Sequence, residues 1–356
     1  MSGCPARYDE ELGMWVVADP GEVRDVLLDP EVFRPDNAVL AHTPLSVAAL
    51  RILSSVGFAL PPTLANNGGS SHRAIRAAVA RFFSPARVAA AEPRTRELTA
   101  ARLETVRRSL AAGATVDLVR TVAADVPALV VLDLLGLEAV DVPALKRWSL
   151  DSLELFWGWP DPARQRELAR TAAEFYAWLR TRVEAVRRSP GADLFSVLAG
   201  LGLTDEECCA VGYFLLIAGQ ETTTQLISAA YHRLAGRWPA DASAAVEEVL
   251  REVSSVPTWR RVTAGPVAVG DVKLPAGSPV LLSLTGTGGP ADLAFGIGIH
   301  RCLGAGLARM ETRVAIELAA AALPDVVPAE AEPPMIDLLS FRAPARVLVR
   351  AAASAA

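Results

Sequence analysis

The stretch Phe295-Gly296-Ile297-Gly298-Ile299-His300-Arg301-Cys302-Leu303-Gly304 constrains this chain more than any other. One cysteine sits in a glycine-punctuated loop, and a strongly apolar helical pattern runs from Leu303 to Leu323. Gly296, Gly298 and Gly304 permit backbone conformations or close approaches that a side chain would block. Such a loop can aim backbone N–H groups at the sulfur. The positive end of the helix that follows also favours thiolate over thiol. A lone thiolate held this way suits metal ligation. An isolated cysteine beside a glycine turn is equally a common core residue, so the glycines and the cysteine alone leave both readings open.

Composition narrows the class. Hydrophobic residues make up 51% of the 356, enough for a sizeable core, and alanine- and leucine-rich segments with 6% aromatics favour helix over sheet. A formal net charge of -5, without a basic run or an aromatic–basic stripe, argues against nucleic-acid binding. Cys4, Cys208, Cys209 and Cys302 are too few for a disulfide framework in so long a chain, and no Cys-x-x-Cys spacing offers zinc a site. The start, Met1-Ser2-Gly3-Cys4, lacks the apolar core of a signal peptide, and no uninterrupted apolar run reads as a membrane span. The expectation is a soluble, cytoplasmic protein that contacts neither membrane nor nucleic acid.

Several short patterns carry chemistry. His72 and Arg76 share one face of a helix for which Ser71 is the expected N-cap. Thr204 and Glu207 form a capping-box signature. The apolar helix they open then meets Ala218-Gly219-Gln220-Glu221-Thr222-Thr223-Thr224, where an acid and hydroxyls interrupt an apolar run. A buried acid costs free energy unless paired or wet, and Gly219 costs about 1 kcal/mol relative to Ala in a helix, so a local opening is expected there. Glu248 and Arg251, at i and i+3, ordinarily read as a surface ion pair. Residues 36 to 71 are unusually apolar for a loop, and Leu155-Phe156-Trp157-Gly158-Trp159-Pro160 is an aromatic cluster between helices. Met14 to Ala18, Val267 to Leu284 and Phe341 to Val349 read as strands.

Taken whole, the string Phe-Gly-x-Gly-x-His-x-Cys-x-Gly from Phe295 to Gly304 resembles the haem-binding loop of the cytochrome P-450 family. The resemblance implies a mainly α fold with small β-sheet regions, forming a single catalytic domain over residues 1–356. It makes Cys302 the ligand of haem b iron within a loop that includes Phe295, Gly296, His300 and Gly304. His72 and Arg76, followed by Phe82-Phe83-Ser84-Pro85, resemble the helix whose basic side chains bind haem propionates, for which an Arg fork is suited. Arg261 matches a further propionate contact. Ala-Gly-x-Glu-Thr resembles the oxygen-activation segment, with Glu221 the acid and Thr222 the alcohol. Glu248 and Arg251 match a buried pair that supports the cysteine loop, and residues 36–71 the region that lines the substrate pocket.

The implied reaction inserts one oxygen atom from O2 into an apolar organic substrate, free or carrier-bound, by hydroxylation, epoxidation or oxidative coupling. Electrons would come from NAD(P)H through a ferredoxin-type partner, and natural-product (secondary metabolite) biosynthesis is the implied setting. The chain departs from the family in two places. Its N-terminal segment is abbreviated, and between Leu284 and Ala294 a long family meander with an Arg is reduced to Thr285–Leu293. That loss motivates a rival reading, a catalytically degenerate relative that activates or binds another enzyme. A peroxide-driven haem enzyme, which would not need Glu221 and Thr222, is the third.

Overall fold

The computed structural model describes residues 5–138 and 140–352, so Cys4 and the first residues lie outside the described part. The architecture is mainly helical with small sheets, as expected. Helix α1 (Pro20–Leu28) precedes the apolar stretch 36–71, which is not all loop: α2 (Val47–Ser55) forms within it before the chain reaches α3 (His72–Ala80). Next come α4 (Pro85–Ala111), α5 (Asp125–Leu135), α6 (Val142–Trp157), α7 (Pro162–Arg188) and α8 (Leu194–Gly200). Then α9 (Asp205–Ala218), α10 (Glu221–Leu234), α11 (Ala242–Val253) and α12 (Ala305–Ala322) complete the helical part. Among the described residues no helix is long and apolar enough to cross a membrane.

Local chemistry sets the boundaries. Ser84 caps α4 by accepting from the Arg87 N–H, with Pro85 in the first turn, where its missing N–H costs nothing. The capping box at Thr204 forms as read: the hydroxyl accepts from Glu207 N, and the Glu207 carboxylate accepts from Thr204 N. Ser71 does not cap α3. Its backbone is helical (φ -69°, ψ -24°) where a cap needs an extended residue, and its hydroxyl accepts instead from Asn67 Nδ2 at 3.0 Å. Helices α6 and α7 pack side by side, joined by a short turn capped by Asp161. Trp148 stacks on Phe175 between them, with ring centroids 5.1 Å apart.

The largest sheet orders its strands Arg7–Asp9, Met14–Val17, Pro279–Ser283, Thr258–Thr263 and Phe33–Arg34. Met14–Val17 runs parallel to Pro279–Ser283, and Thr258–Thr263 antiparallel to it with Arg261 opposite Val280. Period-2 alternation along Thr258–Thr263 puts Trp259 and Arg261 on one face, both lining the central cavity, and Arg260 on the other. The hairpin Val267–Val269/Val272–Leu274 turns on Gly270, whose φ of 57° suits glycine. The reduced segment after Leu284 passes the end of α11, where Gly286 N donates to Arg251 O at 3.1 Å. Gly286 and Gly288 take positive φ (78° and 77°) before the 3-10 turn Ala291–Phe295, which delivers the chain to the cysteine loop.

Candidate active site

Cys302 stands at one wall of a large central cavity. Its loop closes on itself: Cys302 N donates to Phe295 O at 2.8 Å and Arg301 N to Gly298 O at 3.2 Å. Gly298 has a φ of 72°, and a Cβ there would lie 2.9 Å from Leu27 O, so the loop can seat on α1 only with glycine at that position. The sulfur is open to the cavity. Although the residue is exposed on its cavity side, the protein packed behind the sulfur desolvates it and raises the thiol pKa, overcoming the Gly304 N–H and the more distant Arg76, Arg301 and Arg309, which lower it. This reverses the expected direction. Removal of water outweighs what one N–H and remote cations return, because desolvation acts on the whole thiolate.

The opposite wall is a break between two helices. Helix α9 ends at Ala218, α10 starts at Glu221, and Gly219 caps the junction. A Cβ on Gly219 would meet Leu215 O at 2.7 Å and Val131 Cγ2 at 2.8 Å, so the opening needs glycine for its packing on α5. Thr222 Oγ1 donates to Ala218 O at 2.8 Å, and Gly219, Thr222 and Thr223 line the cavity. Glu221 is buried outside the lining. Its Oε1 lies 2.5 Å from Nζ of Lys146 on α6, an ion pair in which that oxygen accepts no well-aligned hydrogen bond; the ammonium donates instead to Gln220 Oε1 at 2.8 Å and Thr224 Oγ1 at 3.2 Å. Sequence reasoning missed Lys146. Its signal was present, since it is one of only two lysines in an arginine-rich chain.

A basic rim completes the site. Arg76 Nη2 donates to Arg301 O at 2.5 Å, so α3 grips the cysteine loop directly. The rings of His72 and His300 lie 4.8 Å apart, and His300 Nε2 bonds Asn67 O at 2.9 Å. Burial, with help from neighbouring cations, lowers the pKa of His300 to about 4 and that of His72 below its ordinary value. Arg261 is 1% exposed, and burial lowers its pKa to about 10. Three buried nitrogens here have no hydrogen-bond partner among the described residues: His72 Nε2, His300 Nδ1 and Arg261 Nε. Burying so many cationic or protonatable groups without a carboxylate is costly. An anion placed among them would satisfy the guanidinium and favour the charged rings.

The rest of the cavity is apolar and aromatic, formed by Phe156, Trp157, Tyr213, Phe214, Trp259 and Phe341. The apolar loop contributes Val39, Leu60 and Leu64. The aromatic cluster before α7 divides: Phe156 and Trp157 line the cavity, while Trp159 is exposed. One expected pair is corrected. Glu248 and Arg251 are both exposed, and among the described residues no bond joins them. Glu248 pairs with Arg233 at 3.1 Å, which also reaches Glu252. The spacing is right, but both side chains are exposed to solvent, and the ordinary surface reading holds.

The chain is 32% identical over 344 residues to erythromycin C-12 hydroxylase of Saccharopolyspora erythraea, covering 87% of this chain and 82% of that protein. The chain belongs to the cytochrome P-450 family. It is also 31% identical over 338 residues to nocardicin C N-oxygenase of Nocardia uniformis subsp. tsuyamanensis, covering 85% of this chain and 80% of that one. A solved structure of cytochrome P-450 CREJ in complex with (4-ethylphenyl) dihydrogen phosphate superposes with a TM-score of 0.90 at 28% identity, covering 98% of this chain and 94% of that chain. No family model matches the chain. As a cytochrome P-450 it is an oxidoreductase, a monooxygenase of small molecules that uses haem iron and electrons passed from NAD(P)H by a redox partner. The cavity fits that group. A sulfur opens on one side, unpartnered basic nitrogens at the rim suit two carboxylates, and apolar walls suit a macrocycle.

Proposed function

We propose that residues 1–356 form one catalytic domain in which Cys302 holds the haem iron and His72, Arg76, Arg261 and His300 receive its propionates. The observation that carries this reading is the shared cavity: the Cys302 loop, the Gly219–Thr223 opening and the basic rim all line it. Phe295, Gly296 and Gly304 also line it, as parts of the loop. Haem iron, when bound, would supply the activation of dioxygen, one oxygen atom of which enters the substrate while the other leaves as water with two protons and the two electrons from the redox partner. The chain's own residues do the rest. Thr222, on the cavity wall, holds a hydroxyl beside the reacting space. Glu221, anchored by Lys146, lies one residue before it and can pass protons inward when its side chain turns from the ammonium. The aromatic walls exclude water and orient an apolar substrate.

The substrate class we infer is a neutral, largely apolar organic molecule of natural-product metabolism, in keeping with relatives named for erythromycin and nocardicin chemistry. A ferredoxin-type donor and a cytoplasmic setting complete the reading. The intact cysteine, acid and alcohol favour it over a degenerate activator or a peroxide-driven enzyme. The test is the reduced, carbon-monoxide-bound spectrum. A red-shifted Soret band in the native chain and its loss in Cys302→Ser are expected; an unchanged band in the variant overturns the assignment. Thr222→Ala should bind haem and substrate normally but divert reducing equivalents to hydrogen peroxide. Unchanged product per NAD(P)H would make Thr222 structural.

A further inference from the structure

We propose that Arg309 is the positioning residue of the thiolate loop in this chain, taking the place of the Glu248–Arg251 pair that the sequence pattern suggests. The inference rests on Cys302 being the haem ligand. Arg309 lies on α12, two turns beyond Cys302, and joins three elements at once. Its Nε donates to Glu247 Oε1 at 2.6 Å and its Nη2 to Glu247 Oε2 at 3.0 Å, a bidentate clamp onto α11. The same Nη2 donates to Asp292 Oδ1 at 2.7 Å, in the reduced segment before the loop. The guanidinium also sits 4.6 Å from the centroid of Phe295, whose carbonyl accepts the Cys302 N–H. Asp292 in turn lies 3.6 Å from Arg301, next to the cysteine.

One planar cation therefore ties the helix before the loop, the helix after it and the loop's first residue. A shortened connection needs such a tie. With few residues between Leu284 and Phe295, the loop's position depends on the ends to which it is pinned, and Asp292 is the pinning point nearest the loop. Arg251, by contrast, is exposed and contributes its backbone carbonyl, not its guanidinium, to the segment. The carboxylate that matters is Glu247, one residue before the expected one. A shift of one residue on a helix turns the side chain by about 100°, here toward α12.

The holoenzyme tests this through two readouts besides turnover: the rate of haem transfer to apomyoglobin, and persistence of the thiolate band in the reduced carbon-monoxide adduct. Arg309→Gln should speed haem transfer by about tenfold, because charge-assisted bonds to both carboxylates are lost. It should also hasten replacement of the thiolate band by that of a thiol. Arg309→Lys keeps the charge without the fork, so it should restore much of the band's persistence but not haem retention. Arg251→Gln should leave both readouts within about twofold, as expected of an exposed side chain. Arg309→Gln at the native rate, or Arg251→Gln matching its effect, overturns the proposal. If Cys302→Ser keeps the thiolate band, the ligand assignment fails first, and the two failures are told apart.

Discussion

A charged carboxylate buried as deeply as that of Glu221 is costly unless a cation lies beside it, and Lys146 supplies one from a different helix. Lys146→Met should therefore destabilise the chain by about 3–5 kcal/mol, since it strands a buried acid, whereas Lys146→Met with Glu221→Leu should cost much less. Urea midpoints in a double-mutant cycle measure the coupling. Equal losses in the single and double variants would mean that the pair contributes nothing specific. The acid was legible in the sequence because a Glu inside an apolar helix is conspicuous. Its partner was not, because residues 146 and 221 meet only through the packing of α6 against α10. The reverse holds for Glu248 and Arg251. Their spacing was legible, but burial depends on what covers a helix face, and i,i+3 spacing carries no information about that.

At the scale of elements, α12 was recognisable from its apolar pattern, yet it hides an acid that the pattern passes over. Glu311 is 1% exposed, and neither carboxylate oxygen has a hydrogen-bond partner among the described residues. Burial alone raises its pKa from 4.5 to about 8, so the folded chain keeps a proton there that the unfolded chain has released. The stability associated with that proton is whole below about pH 4.5 and is lost as pH rises through about 8. Its full size is on the order of 5 kcal/mol. Glu311→Gln should flatten this fall, leaving the variant more stable than the native chain at pH 8.5 relative to pH 6. Parallel pH profiles of the two chains' urea midpoints would show that Glu311 is solvated after all. The α9–α10 break belongs to the same scale. Gly219 marked it in the sequence, and the close approach of Leu215 O and Val131 explains why no larger residue would serve.

For the whole molecule, the decisive feature is a single cavity with its charges on one side. Arg76, Arg261, His72 and His300 gather at the rim, while the aromatic part carries no charged lining residue. A charged substrate group driven into that part would lose its hydration without a counter-ion. Neutral apolar ligands should therefore give saturable Soret shifts, and carboxylate analogues of the same size should bind at least about tenfold more weakly, a difference of about 1.4 kcal/mol. Titrations of matched ester and acid pairs measure it; equal affinities would point to an anion-binding group deeper in the cavity. The cysteine loop, the His72–Arg76 face, the acid–alcohol segment and the helical class were all determined by the sequence alone, because each is local: glycines, caps and helical spacing act within a few residues. The partners were decided only by tertiary structure. Lys146 beside Glu221, Arg309 between Glu247 and Asp292, the solvent-facing Glu248 and the raised thiol of Cys302 all depend on desolvation and contact between distant segments, and neither is written in local sequence.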